Sequence, residues 1–244
     1  LYYSGLNWLI GKLSSNKVFC IGYHSVWDES NEEEFSYKLY KNISDNSVDF
    51  EKQLLFLKNS GHTFIHFSDL KKEETTKLSK PTIIFFDDGF KDVFVNALPI
   101  LKKHNIPATI FITTGLVNRT HFLWTLGVRY FLSKQGQSEI SIEEKIRELK
   151  KLKMKDREKE IMGLYNSSSF VLNPVDFKIF LSWDEVKTLS QNGFEIGSHG
   201  IKHQKLTELS PTELVEELMG SKKILEDKVG VTIKTISYPY GRHN

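Results

Sequence analysis

The chain has 244 residues, of which 39% are apolar and 26% charged, and its formal net charge is +2. This composition is typical of a globular domain, and the small net charge argues against nucleic acid as a partner. No stretch reaches the roughly 20 consecutive apolar residues that a membrane-spanning helix needs.

The first predicted elements are a helix and a strand. Near the amino terminus, apolar side chains recur at helical spacing: Leu6, Leu9, Ile10 and Leu13. This amphipathic helix is expected to dock on the body of the protein, with a membrane surface as the alternative. Residues 17–23 then form a predicted buried strand, in which the single cysteine, Cys20, is expected to be buried.

Strands and helices alternate from there to residue 115. One helix is predicted over 48–60, and a second begins at about Lys91, where Pro99 is expected to kink or break it. The remaining predicted strands of this region are 62–67, 82–86 and 107–115. Such alternation indicates a parallel α/β architecture.

The segment from about 116 to 180 interrupts this alternation because it is largely helical and charged. We interpret it as an insertion packed on the body of the protein, or as a lid. After it, capping boxes at 182–185 and 210–213 predict two helices, ending near Gly193 and at about Lys228. Residues 194–199 are predicted as a strand that leads into a loop, and residues 232–241 as the last strand with its exit turn. We expect residues 1–244 to form a single domain.

Polar side chains follow three of the predicted strands. They are Asp87 with Asp88, His199 with His203, and Tyr240. Because the carboxyl ends of parallel strands share one face, these side chains are expected to converge. A carboxylate and two imidazoles form a metal-ligand set that leaves positions open for water. Adjacent carboxylates at a strand end favour this interpretation over an ordinary turn, since they are costly without a cation or a shared proton.

These motifs resemble those of a known family. In order and spacing, TIIFFDDGF, SHGIKH and SYPYG are similar to the first three motifs of the polysaccharide deacetylases, the NodB-homology group of carbohydrate esterase family 4. The resemblance covers roughly residues 17–115 and 181–243. It implies a distorted (β/α) barrel that removes N-acetyl groups from chitin-like oligomers, peptidoglycan or poly-N-acetylglucosamine.

The resemblance also implies a role for each residue. Asp87 matches the catalytic base, and Tyr240 matches the residue whose backbone N–H helps to form the oxyanion hole. Asp88, His199 and His203 match the ligands of a divalent metal ion, Zn²⁺ in the first place, with Co²⁺ or Ni²⁺ as alternatives. The family further implies an N-acetylated glycan as substrate and an extracytoplasmic or cell-envelope location.

The sequence departs from the family pattern in three places. Gly200 and Gln204 stand where the second motif usually has Ser or Thr and often Pro, which weakens the expected support of the metal-binding loop. Ser237 and Tyr238 stand where the third motif commonly carries an arginine that orients the base. The later motifs, including the Leu-x-His segment that supplies the catalytic acid, are absent. We therefore expect a C-terminally incomplete barrel that retains the metal site and lacks the acid.

Five aromatic residues are weaker candidates for the site. His24 lies at a strand end and His243 near the third motif, and structural or exposed roles are favoured for both. Trp27, Trp124 and Trp183 could stack on sugar rings, although core packing or a contact at a helix start is more usual for the last two.

Two other functions stay open from the sequence. One is a non-catalytic carbohydrate-binding protein on the same fold, which the missing acid favours. The other is a non-haem iron oxygenase, which also uses two histidines and a carboxylate. The oxygenase class expects a β-sandwich, and the alternation of strands and helices speaks against it.

Overall fold

A parallel sheet forms the centre of the molecule. The computed structural model describes residues 17–28, 44–166 and 178–242, so the helix predicted around Leu6–Leu13 and His243 lie outside the described residues. All strands of the sheet run parallel. The strands of the described residues, in chain order, are β1 (Phe19–Tyr23), β2 (Ser25–Trp27), β3 (Ser44–Asn46), β4 (Thr63–Phe64), β5 (Pro81–Phe86), β6 (Ala108–Ile112) and β7 (Phe194–Ser198).

The order of strands in the main sheet is β1-β5-β6-β7, with β4 also paired to β5, while β2 and β3 form a small parallel sheet of their own. The helices, in chain order, are α1 (Ser47–Asn59), α2 (Leu98–His104), α3 (Thr114–Val117), α4 (Trp124–Lys134), α5 (Glu139–Lys151), α6 (Met154–Asn166), α7 (Trp183–Gln191), α8 (Pro211–Val215) and α9 (Ser221–Val229). This parallel α/β arrangement confirms the predicted class. It is incompatible with the β-sandwich of the oxygenase alternative, which is therefore wrong.

Both predicted capping boxes are present. The Ser182 hydroxyl accepts from the backbone N–H of Glu185, whose carboxylate accepts from the N–H of Ser182 in return. Ser210 and Glu213 repeat this exchange at the start of α8. Each pair satisfies backbone donors that the first helical turn leaves free, which fixes where α7 and α8 begin.

The central strands of the sheet are buried by the segments that flank them. All five residues of β6 are buried, as are five of the six in β5. Near-continuous apolar runs of this kind are typical of parallel strands. Together with side chains of the flanking helices α1, α2 and α7, they form the largest apolar cluster of the described residues. Asp87 and His199 therefore directly follow two well-packed strands, β5 and β7.

The predicted helical insertion corresponds to α4, α5 and α6. It has a small apolar core of its own, comprising Val128, Ile142, Ile146, Leu149 and Ile161. A second cluster joins it to the body through Phe90, Leu116, Leu123, Leu126, Ile179 and Phe180. The insertion is thus packed on the domain, as the first of the two sequence interpretations expects.

Three local predictions are corrected by the structure. Cys20 is exposed, because β1 is only partly covered by the described residues. The helix does not break at Pro99: a π-helical turn, Val93–Ala97, leads directly into α2, so the chain changes its type of helix just before Pro99. The strand predicted over 232–241 is reduced to one parallel bridge between Ile236 and Ser198.

Candidate metal centre and active site

Asp87 and Asp88 leave the sheet at the end of β5. The N–H of Asp87 still donates to the carbonyl of Tyr23 on β1, at 3.0 Å. The chain then turns sharply through Asp88 (φ 72°) and Gly89 (φ 92°), both in the left-handed region. The turn leaves Asp88 only 3% exposed. A carboxylate is costly to bury at this depth without a compensating partner.

His199 follows β7 directly, and its N–H continues the ladder to the carbonyl of Ile112 at 2.9 Å. The loop from His199 to His203 then runs against the start of α3. There the carbonyls of Gly200 and Ile201 accept from the N–H groups of Thr114 and Gly115, at 3.0 and 2.9 Å. The loop therefore returns the chain so that His203 faces the same space as His199.

The structure brings Asp88, His199 and His203 together. The Nε2 atoms of His199 and His203 lie 3.5 and 3.3 Å from Asp88 Oδ1. One ligand atom from each of the three residues lies within 4.8 Å of the other two. The convergence expected from the sequence is therefore present, while the role of these residues as ligands stays a prediction.

Both imidazoles are neutral near pH 7. Burial lowers the pKa of His199 to about 3, helped by the neighbouring His203. Burial likewise lowers the pKa of His203 to about 3, helped by the charges of His24 and Arg157. In His199, Nδ1 lies 2.9 Å from the carbonyl oxygen of Ser237, which can only accept, so Nδ1 carries the proton. The lone pair of His199 Nε2 is then directed to the side of Asp88.

This donor set fits a divalent cation. Asp88 Oδ1 is buried and has no hydrogen-bond partner among the described residues. The His199 ring faces this oxygen through a lone pair and cannot donate to it, and His203 Nε2 lies 3.3 Å from the same oxygen, so the three atoms form a cluster that a cation would satisfy. Two nitrogens and one oxygen are a common ligand set for Zn²⁺ and related ions, with positions left open.

Asp87 lies beside this cluster with a perturbed carboxyl group. Burial, followed by the charge of Asp88, raises its pKa to about 7, and a hydrogen bond from the side chain of Ser237 opposes that rise. Ser237 therefore occupies the supporting position that the resemblance assigns to an arginine. The same residue touches His199 through its carbonyl and Asp87 through its hydroxyl.

Tyr240 lies on the other side of His203. It sits in the short turn Pro239–Gly241 with φ 61°, and its ring centroid is 4.8 Å from that of His203. Its hydroxyl accepts from Trp124 Nε1 at 2.9 Å. The guanidinium of Arg157 stacks on Trp124, 4.8 Å from the ring centroid. Two residues of the insertion thus reach the edge of the site.

The other aromatic candidates lie in different surroundings. The His24 side chain is exposed after β1, and its charge contributes to the lowered pKa of both His199 and His203. Trp183 begins α7 and donates to Asn118 Oδ1 at 2.8 Å, which is the predicted contact at a helix start. Trp27 is half-buried at the end of β2.

Sequence reasoning missed Arg157 and Glu217. Arg157 is 4% exposed and Glu217 is 3% exposed, in segments where the sequence shows only charged amphipathic helices. Both helices carry many charged residues, so nothing in the spacing distinguishes these two from solvated neighbours. Only the three-dimensional contacts identify them.

A family model described as polysaccharide deacetylase matches residues 74–244, which is more than half of the chain. The chain belongs to the polysaccharide deacetylase family. This confirms the family and the class of hydrolase that the three motifs predict.

Relatives of this polysaccharide deacetylase are known in sequence and structure. The poly-beta-1,6-N-acetyl-D-glucosamine N-deacetylase of Staphylococcus aureus strain NCTC 8325 is 27% identical over 240 residues, spanning 96% of this chain and 68% of the relative. The deacetylase PplD of Streptococcus pyogenes, solved in complex with acetate, superposes with a TM-score of 0.62 at 21% identity over 95% of this chain and 77% of PplD. IcaB from Ammonifex degensii superposes with a TM-score of 0.59 at 18% identity, over 94% of this chain and 76% of IcaB. These structures support the distorted barrel.

Proposed function

We propose that the protein is a metal-dependent hydrolase that removes N-acetyl groups from an N-acetylated glycan. The observation that carries this proposal is the convergence of Asp88 Oδ1 with Nε2 of His199 and His203, in a cluster whose donor atoms could hold a divalent cation. Zn²⁺ is the first candidate because neutral imidazoles and a carboxylate are typical zinc ligands. Co²⁺ and Ni²⁺ are the alternatives.

Each residue of the site has a distinct task in this reaction. A divalent ion bound there supplies Lewis acidity, which polarises the acetyl carbonyl and acidifies water. Asp87, whose Oδ1 is buried and without a hydrogen-bond partner among the described residues, accepts a proton from the attacking water. The backbone N–H of Tyr240 stabilises negative charge on the carbonyl oxygen. The group that protonates the leaving amine lies outside the motifs recognised in this chain.

Poly-N-acetylglucosamine is the first substrate to test, because curated relatives that are 27% identical to this chain carry that specificity in their names. Chitin-like oligomers and peptidoglycan are the other two candidate substrates. Such a substrate places the protein outside the cytoplasm or at the cell envelope. None of the helices within 17–28, 44–166 and 178–242 has the length and apolar character of a membrane span.

The decisive experiment measures acetate release from N-acetylglucosamine oligomers with β-1,6 and β-1,4 linkage. We expect turnover by the zinc-loaded protein, loss of turnover with a chelator and recovery on adding Zn²⁺. Elemental analysis should give about one divalent ion per chain, and none in Asp88→Asn or His203→Ala. Unchanged metal content in these variants would refute the site. Glycan binding with bound metal and no acetate release would support the alternative of a non-catalytic carbohydrate-binding protein.

A further inference from the structure

The loop that connects the two histidines carries an unusual residue. Gly200 stands where the family resemblance leads one to expect Ser or Thr, a residue that supports the loop. Gly200 has φ 81° and His203 has φ 55°, so the loop passes twice through the left-handed region. Such a backbone costs free energy and persists only where its surroundings fix it. Something else must therefore support this loop.

Glu217 provides that support from the neighbouring helical segment. Its Oε1 accepts from the backbone N–H groups of Ile201 and Lys202, at 2.8 and 2.6 Å. The side chain is 3% exposed, and the acceptor is a carboxylate, so both bonds are charge-assisted and shielded from water. The two donors belong to the residues between His199 and His203.

Glycine at position 200 is a condition of this contact. A Cβ atom built at Gly200 would lie 2.8 Å from Glu217 Oε1, closer than real Cβ contacts. A serine or threonine at position 200 would therefore force the Glu217 carboxylate to shift from the position in which it binds the loop. The departure at Gly200 is matched by a buried acid that occupies the space of the missing side chain.

The backbone of the helical segment presents Glu217 in this direction. Glu217 lies in a π-helical turn, Glu216–Gly220, between α8 and α9. A π turn shifts the register of the side chains that follow it and is frequent at functional sites. Next to it, the Ser198 hydroxyl accepts from the N–H of Gly200 at 3.2 Å and lies 2.7 Å from the Ser221 hydroxyl. The whole loop is thus bound to this turn.

We infer that Glu217 is a positioning residue for the metal centre, which sets the distance between the two imidazoles by holding the loop between them. The inference rests on the proposed metal site. Glu217 contacts neither histidine side chain, so its effect passes through the backbone of Gly200–Lys202. Supports of this kind change metal affinity by roughly 10- to 100-fold in other metalloproteins.

Two conservative variants separate the reach of this side chain from its charge. Glu217→Gln keeps an acceptor oxygen at the same distance, whereas Glu217→Asp keeps the charge and withdraws it by one methylene group. We expect Glu217→Asp to weaken zinc binding roughly 10- to 100-fold and to alter the visible absorption of the cobalt-loaded protein. Glu217→Gln should lose less zinc affinity than Glu217→Asp, because a neutral acceptor still satisfies both N–H groups. Glu216→Gln and Glu216→Asp are matched controls, because Glu216 is exposed in the same turn.

The readouts are zinc affinity by chelator competition, the cobalt spectrum, kcat and KM, and the unfolding temperature without metal. If Glu217→Asp has the same zinc affinity and cobalt spectrum as the Glu216 controls, the inference is overturned and the proposed function stays intact. A lower unfolding temperature with wild-type zinc affinity would also overturn it, since Glu217 would then stabilise the fold alone. Absence of metal binding by the wild-type protein would overturn both.

Discussion

At the scale of single residues, three side chains of the site stand on a backbone in the left-handed region: Asp88, His203 and Tyr240. For residues other than glycine this conformation is uncommon and costs roughly 1–3 kcal/mol each. The strain turns the chain sharply at the end of β5, within the histidine loop and after the bridge at Ile236. Hydrogen bonds from neighbouring segments hold it in place, so these bonds are the sensitive points of the site.

Ser237 makes two hydrogen bonds within the site, one to Asp87 and one to His199, and one substitution separates them. Ser237→Ala removes the hydroxyl that bonds to Asp87 and keeps the carbonyl that binds His199. We expect kcat to fall about tenfold, because a hydrogen bond to a charged group contributes roughly 1.5 kcal/mol. Metal content should not change. Steady-state kinetics and elemental analysis of the same preparation test this.

Ser237→Thr is the control for this prediction, because it keeps the hydroxyl and should retain most of the activity. A loss of metal in Ser237→Ala would show that the side chain supports His199 rather than Asp87. Equal activity of the wild-type and Ala proteins would show that Asp87 is oriented without it.

At the scale of elements, the small sheet of β2 and β3 is joined to the main body through Asp92. The Ser25 hydroxyl on β2 donates to Asp92 Oδ2 and lies 2.6 Å from the Ser44 hydroxyl on β3. Burial raises the pKa of Asp92 from 3.8 to about 7, against the opposing hydrogen bonds from Ser25 and nearby backbone N–H groups. The folded state therefore favours the protonated acid.

This predicts a loss of stability with rising pH. The folded pKa exceeds the unfolded one, so the stabilising contribution is complete below about pH 4 and is lost as pH rises to about 7. A difference of about three pKa units corresponds to at most roughly 4 kcal/mol. Asp92→Asn should remove the part of this dependence that comes from Asp92, while Asp87, whose pKa is also raised to about 7, keeps its contribution in both proteins. The free energy of unfolding in urea is measured from pH 4 to 8 for the wild type and for Asp92→Asn. The difference between the two proteins should change with pH up to about 7.

Asp227→Asn, at an exposed position of α9, is the control and should keep the wild-type pH profile. Parallel profiles of wild type and Asp92→Asn would contradict the prediction, because the pH dependence would then come from other groups.

The insertion offers a second test at this scale. Trp124, the first residue of α4, donates to the Tyr240 hydroxyl, so the insertion contacts the turn that carries the proposed oxyanion donor. Trp124→Phe keeps the ring that stacks with Arg157 and removes the donor. We expect kcat/KM to fall roughly fivefold, because one neutral hydrogen bond contributes about 1 kcal/mol. Kinetics on an N-acetylglucosamine oligomer, with metal content unchanged, measure the effect.

Trp183→Phe is the matched control, because it removes a similar bond to Asn118 at the start of another helix. A larger loss of activity in Trp183→Phe than in Trp124→Phe would contradict a role for the insertion at the site.

At the scale of the whole molecule, the sequence predicted what depends on local pattern and spacing. Apolar runs gave the strands, capping boxes gave the starts of α7 and α8, and three motifs at strand ends gave the convergence on Asp88. The prediction that Cys20 is buried was wrong, because the burial of an edge strand depends on segments that are distant in the sequence. Glu217 and Arg157 were missed because a buried charge on an amphipathic helix is recognisable only from its partners in space. The single domain over 1–244 and the absent catalytic acid stay predictions.

Metal binding should also act on the whole molecule, since its proposed ligands join the ends of β5 and β7. A ligand that binds only the folded state stabilises it by roughly 4 kcal/mol at a thousandfold excess over its Kd. For a chain of this length that raises Tm by roughly 10 °C. Asp88→Asn should show no such shift with Zn²⁺. With chelator, however, it should unfold at the same or a higher temperature than wild type, because metal-free Asp88 is a buried carboxylate without a hydrogen bond at Oδ1.

The order of the Tm values of wild type and Asp88→Asn, compared with Zn²⁺ and with chelator, distinguishes a metal ligand from a residue that only supports the fold. An acid that only supports the fold would lower Tm on substitution with or without metal. A metal-ligating carboxylate destabilises the metal-free protein, because its buried charge then has no cation to compensate it. Differential scanning calorimetry of wild type, Asp88→Asn and the exposed control Asp227→Asn, each with Zn²⁺ and with chelator, compares all six states. A zinc-dependent shift that persists in Asp88→Asn would place the ion elsewhere in the molecule.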